Sequence, residues 1–187
     1  LFSIARNATL TNISIIDGNI STNDVAGGLT GITEHNTSIY ACSFEGIVKG
    51  RKEVGGLIGR HGGNKVTNSY SKGSVYGHDR EVGGLTGKTL SVAEISDCYS
   101  ESQVHGPSNT GGLVSLFNHD SKIIRSFSTG AVNTTGVGGG LVGYKNDEST
   151  ILSSFWDINS SGRSNNPGSG AVGKSTAEMM DPSTFLN

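Results

Sequence analysis

Gly55-Gly56-Leu57-Ile58-Gly59 decides how this chain is read, because the motif recurs. Gly27-Gly28-Leu29-Thr30-Gly31 precedes it. Gly83-Gly84-Leu85-Thr86-Gly87, Gly111-Gly112-Leu113-Val114-Ser115 and Gly139-Gly140-Leu141-Val142-Gly143 follow it. The leucines stand at 29, 57, 85, 113 and 141, so every step is 28 residues, and one step back lands on Leu1. A fixed period of this length marks a repeat architecture, in which each unit stacks on the last and equivalent residues form ladders.

The rest of each unit repeats as well. An apolar residue follows the second glycine by ten or eleven positions, at Ile39, Val66, Ile95 and Ile123. An aromatic run comes next, in Asn68-Ser69-Tyr70-Ser71, Asp97-Cys98-Tyr99-Ser100, Arg125-Ser126-Phe127-Ser128 and Ser153-Ser154-Phe155-Trp156. Short runs of alternating apolar residues between Gly, Asn and Ser are strands. Twenty-eight residues are too few for a propeller blade of ~40–45, and the leucine-rich-repeat pattern is absent. The sequence therefore predicts an all-β fold, a parallel β-solenoid (β-helix) of about six 28-residue coils with a short C-terminal cap. Repeats are expected over 1–155 and the cap over 156–187. Leu1, Leu29, Leu57, Leu85, Leu113 and Leu141 should form one inward ladder, and Tyr70, Tyr99, Phe127 and Phe155 an aromatic one. The glycine pairs should sit where opposite walls approach or at a tight corner. Ser175 should cap a short helix that stops before Pro182.

Composition supports this reading by exclusion. Glycine contributes 29 of 187 residues and proline only 3, which disfavours a helical bundle, since each glycine costs a helix interior about 1 kcal/mol. Collagen would need far more proline and glycine at every third position. A net charge of −2 gives no electrostatic reason to expect nucleic acid as a partner. No apolar run nears the ~18 residues that cross a bilayer, so no membrane insertion is expected within this segment. The chain, beginning Leu1-Phe2-Ser3, reads as a piece of something longer or processed.

A glycine-glycine-leucine motif at near-constant period, alternating with aromatic strands, resembles the GLUG repeats of bacterial surface and secreted proteins. Such repeats occur in adhesin-like chains and in the N-terminal parts of IgA-specific metallopeptidases. The resemblance extends to the tail through Ser154-Phe155-Trp156-Asp157, Ser161-Gly162, Gly170, Gly173 to Met179 and Phe185, and to the start through Asn7-Ala8-Thr9-Leu10-Thr11-Asn12-Ile13. It implies a β-solenoid and an extracellular or cell-surface location, and it implies no activity.

Several motifs compete with that reading. Gly168-Ser169-Gly170-Ala171-Val172-Gly173-Lys174-Ser175 fits the phosphate-loop pattern. Such a loop needs a buried strand before it and a sustained helix after it. Here Ser160 to Pro167 read as no strand and 12 residues remain after it, so neither a nucleotide nor any other cofactor is expected. Cys42 and Cys98 fall in one ladder two coils apart, roughly 9.6 Å and beyond the ~7 Å limit of a disulfide. They should be free, buried thiols. His78 and His105 read as near-equivalents on adjacent coils. Charge concentrates at Arg51-Lys52-Glu53 and His78-Asp79-Arg80-Glu81, where the register places Arg51 under Asp79 and Glu53 under Glu81. Alternating signs on a turn suggest a solvated, partly paired corner.

The sequence thus favours a non-catalytic repeat segment of a bacterial surface or secreted protein, acting as an adhesin-like spacer or protein-binding module. Its partner would be a host or matrix protein or glycan, and its candidate face Arg51, Lys52, Glu53, His78, Asp79, Arg80, Glu81 and His105. The alternative is a carbohydrate-binding or polysaccharide-processing β-helix, with Tyr76 and Tyr144 as candidate sugar platforms.

Overall fold

The computed structural model describes residues 1–90, 92–118, 120–146 and 148–185. It is a parallel β-solenoid whose walls are three sheets. The first wall stacks Phe2–Arg6, Thr30–Glu34, Ile58–Gly62, Thr86–Thr89, Val114–Phe117 and Val142–Lys145. The second stacks Thr9–Thr11, Ser38–Tyr40, Lys65–Thr67, Glu94–Ser96, Lys122–Ile124 and Thr150–Leu152. The third is built on the long strands Ser43–Gly55 and Tyr70–Gly83, flanked by Ser14–Ser21, Tyr99–Gly106 and shorter pieces. Six rungs on a wall make about five full turns.

The 28-residue frame sets the register. Thr30, Ile58, Thr86, Val114 and Val142 pair in order along the first wall. On the second wall Ile39 pairs with Val66, 27 residues on, and Val66 with Ile95, 29 on. The residue lost in one coil is regained in the next, because strand register is held by the buried face while the corner between strands absorbs the change. Leu29, Leu57, Leu85, Leu113 and Leu141 are fully buried in one ladder. Leu1 takes its place in that register through its amino group, 3.3 Å from the Gly28 carbonyl. It is nonetheless 68% exposed, a correction to the expected inward position: as the first rung it has a neighbour on one side only.

The second glycine of each pair sits where opposite walls meet. A Cβ on Gly56 would strike the Gly84 carbonyl and Ser71, and one on Gly84 the Gly112 carbonyl and Ser100. None of these glycines has a positive φ, so close approach is what requires them. The facing ladder is correspondingly small, with Ser71, Ser100 and Ser128 through the middle coils. Large rings stand at its ends: Phe44 lies against Gly28 and Trp156 against Gly140.

Each of the six coils turns one corner on a left-handed residue: Asn12, Ala41, Asn68, Asp97, Arg125 and Ser153, with φ between 45° and 57°. The turn aims the next residue inward, which buries both Cys42 and Cys98 as free thiols. Burial pushes the Cys98 thiol up to about 12 and raises that of Cys42, so both act as small core residues. Ser126 and Ser154 use the same ladder differently. Their hydroxyls donate to the carbonyl two residues back and accept an N–H from the coil below.

From Ile158 onward the chain leaves the frame and lies over the last coil. Asp157 caps a single helical turn, Ile158–Ser161, that ends on Gly162 with φ 67°. Asn165 and Asn166 then cross above the last glycine-leucine turn. The Gly140 N–H donates to the Asn165 carbonyl, and the N–H groups of Leu141 and Val142 both donate to Asn166 Oδ1, at 3.0 and 2.7 Å. Strand Ala171–Lys174 pairs with Ser154–Asp157. A second turn, Thr176–Met179, carries a full capping box between Ser175 and Glu178, and a final 3₁₀ turn, Pro182–Phe185, sets the Phe185 ring against Phe127 and Phe155.

Candidate functional site

The eight residues expected to share one face divide into three groups. Arg51 and Asp79 meet as the register requires, Nη1 to Oδ2 at 3.4 Å, and Arg51 also reaches Asp24 at 3.2 Å. Lys52 lies 3.6 Å from the same Asp24 carboxylate. Asp24, Arg51 and Asp79 therefore form an exposed alternating-charge ladder over three coils. His78 and Arg80 are exposed beside it, and Arg80 stands in register with Lys52.

Glu53 and Glu81 depart from the expectation of a solvated corner. Both have positive φ, 50° and 62°, and both are buried. The left-handed backbone turns them off the corner toward the first wall. There Arg60 Nε meets Glu53 at 2.5 Å, and Lys88 Nζ lies 3.5 Å from Glu53 and 3.7 Å from Glu81. Burial without a cation would be costly for these carboxylates, and the two cations offset it. Arg60 and Lys88 were not expected to belong to this cluster. The signal was present in the sequence, since each follows its glutamate by seven residues in consecutive units.

His105 belongs to a third group. It pairs in register with Tyr76 rather than His78, a correction with a simple cause: the register shifts after Gly77 at the corner, leaving His78 outside the straight part of the strand. The Tyr76 and His105 rings stack at 4.7 Å with 12° between their planes. Lys49 Nζ lies 5.6 Å from the centre of the Tyr76 ring. Tyr76, His78, His105, Asn133, Thr134 and Arg163 line an open groove of about 760 Å³ that runs from the third wall to the covering segment. Among the described residues, no three His, Cys, Asp or Glu side chains gather as a metal site. His35 and His119 were read as sharing a ladder; His119 lies outside the described residues.

The aromatic ladder forms as expected. Tyr70, Tyr99, Phe127 and Phe155 pair in sequence. The Tyr70–Tyr99 and Tyr99–Phe127 rings stack at 4.8 and 5.2 Å. Rings stacked along a ladder present their edges outward, and their faces are used on one another. In the glycine-rich stretch that fits the phosphate-loop pattern, Ala171–Lys174 is a strand and the helix that follows has four residues.

A tube of stacked coils with this glycine-leucine turn and this serine-aromatic strand matches a known repeat. The family model of the GLUG motif matches residues 50–76. The chain carries the GLUG motif. The matched GLUG unit begins at Gly50, includes Arg51, Lys52 and Glu53, passes through the Gly55-Gly56 close approach and ends at Tyr76 on the groove. Among solved structures, the chain is similar to a Bacteroides ovatus protein provisionally named an immunoglobulin A1 protease, with a TM-score of 0.70 and 16% identity over 94% of this chain and 68% of that one. At that identity the likeness shows a shared fold. No curated protein sequence matches the chain.

Proposed function

We propose that this chain is a non-catalytic repeat segment of a secreted or cell-surface protein, a stiff spacer that presents a polar binding corner to a host or matrix partner. The carrying observation is the exposed Asp24–Arg51–Asp79 ladder, flanked by Lys52, His78 and Arg80 and backed by the buried Glu53–Arg60–Lys88–Glu81 cluster. Long charged side chains normally lose entropy when a partner orders them. Here three coils pre-order the outer charges and the inner cluster fixes the backbone beneath them. The GLUG match and the Bacteroides ovatus neighbour support an extracellular setting.

The groove argues against polysaccharide processing. Glycoside hydrolysis uses two carboxyl groups about 5–9.5 Å apart, and no Asp or Glu lines the groove. Tyr76 is also a poor sugar platform, because His105 and Lys49 occupy its ring. The test is a matrix-adhesion assay with beads coated in the chain, run beside Arg51→Glu with Arg80→Glu. Both side chains are exposed and the fold should be retained. Adhesion that falls about tenfold in the variant supports the corner. Adhesion unchanged by it, or turnover of a polysaccharide or protein substrate by the wild-type chain, sinks the reading.

A further inference from the structure

The groove beside the corner has a chemistry that the spacer role does not use. Arg163 is half-buried at its upper edge. Its Nε donates to the Val132 carbonyl at 3.2 Å and its Nη2 to the Thr134 carbonyl at 3.3 Å. A guanidinium carries five N–H donors, so three are left, and among the described residues no carboxylate pairs with it. The two carbonyls hold the fork in place without neutralising it. Lys49, at the far end of the same stripe, is likewise without a carboxylate and lies over Tyr76. Lys49, Tyr76, His105 and Asn133 are register partners on four successive coils, a span of roughly 14 Å at ~4.8 Å per rung. Asp79, the nearest acid in sequence, is turned to Arg51.

We propose that this groove binds an acidic polysaccharide, one whose sugars carry carboxylates, laid across the rungs from Lys49 to Arg163. Three features found together on one sugar have counterparts within a rung or two of each other. A carboxylate matches the pre-set guanidinium fork, which favours bidentate capture. Ring hydroxyls match the amide of Asn133 and the hydroxyl of Thr134. The apolar face of a pyranose matches the His105 ring, whose one face is covered by Tyr76 and whose other is turned toward the Asn133 rung. An acidic peptide would use the guanidinium alone, since the groove offers no apolar pocket for a neighbouring side chain. The volume of about 760 Å³ falls within the usual range of ligand sites. The proposal rests on the non-catalytic reading above and adds the ligand class.

The test is calorimetric titration of the 187-residue chain with tetragalacturonate, maltotetraose and tetraglutamate, with the saccharide recovered afterwards and sized by chromatography. Tetragalacturonate should bind saturably, at least about tenfold more tightly than the other two, and more weakly as salt rises. Asn133→Asp places a like charge at an exposed position that the fold does not need, and should weaken binding about tenfold. Arg163→Lys keeps the charge, loses the fork and should weaken it similarly. Absence of saturable binding, equal binding of maltotetraose or tetraglutamate, or indifference to both variants would overturn the assignment. Tetragalacturonate that is bound and recovered shortened would leave the groove assignment standing and remove the non-catalytic reading beneath it.

Discussion

The two ends of the stack differ in kind. At the first rung Leu1, Phe2, Ile4 and Ile16 are exposed, and the leucine ladder simply presents its last member. At the other end the same ladder is finished: Trp156 fills the space against Gly140, and Asn165 and Asn166 supply the acceptors that a further coil would have supplied. Within the stack, Leu57 and Ile58 both donate to the Leu85 carbonyl, and Leu113 and Val114 both donate to that of Leu141. At Leu141 and Val142 the same pair of bonds goes to one side-chain amide oxygen. A repeat is closed here by side-chain imitation of the missing backbone. One aromatic ring does the packing that the middle coils share among Ser71, Ser100 and Ser128.

The sharpest way to break this comparison is Trp156→Ala. Removing a large aromatic from a packed site costs about 3–5 kcal/mol, read by denaturant unfolding. Hydrogen exchange should show the loss concentrated in the rungs around Gly140 and Ser154; equal loss over all six rungs would remove the distinction between end and middle. A second perturbation comes from the interior. His61 is fully buried, its Nδ1 2.7 Å from the Thr33 hydroxyl and its Nε2 without a partner. Burial depresses its pKa from 6.5 to about 4. The unfolded chain therefore holds the extra proton between those values, and stability falls as pH drops from about 6.5 to 4, by about 3 kcal/mol in all. His61→Gln should flatten that part of the pH–stability curve, and a slope that survives the substitution assigns it elsewhere. Asn166→Ala should cost about 1–3 kcal/mol by leaving two N–H groups unmet, with exchange accelerated at Leu141 and Val142. The smallest effect is expected at the open end, where Leu1→Ala should change stability by less than about 0.5 kcal/mol. A larger loss would mean that the first rung is buried in solution.

The difference between the ends also shows what the sequence made legible. Whatever recurs every 28 residues could be placed beforehand: the leucine ladder, the aromatic ladder, the shared position of Cys42 and Cys98, and the meeting of Arg51 with Asp79. Ser175 could be placed as a helix cap because capping chemistry is local. Position in the frame did not determine environment. Leu1 has the right register and no second neighbour. Glu53 and Glu81 have the right register and a left-handed backbone that takes them off the surface to Arg60 and Lys88. The slip of His105 onto Tyr76 follows from an irregularity at the Gly77 corner that a strict period hides. Asn165 and Asn166 lay beyond reach, because a side chain standing in for a carbonyl leaves no periodic trace. The groove is hidden for the same reason, since Arg163 comes from the non-repeating segment and Tyr76, His105 and Asn133 from three different units.

The bonds at the glycine-leucine turn all point one way. Phe2 donates to Leu29, Leu29 to Leu57, and so on to Leu113 and Leu141. At this turn the stack is a polar column, with acceptors bare at its first rung and donors bare at its last. Two copies can therefore continue one another here only head to tail, and like ends have nothing to exchange. An array of such units can be lengthened by any whole number of coils without meeting a new problem. Its last turn can be finished only by a group that accepts two protons at once, a role open to the oxygen of an asparagine and closed to any lysine or arginine.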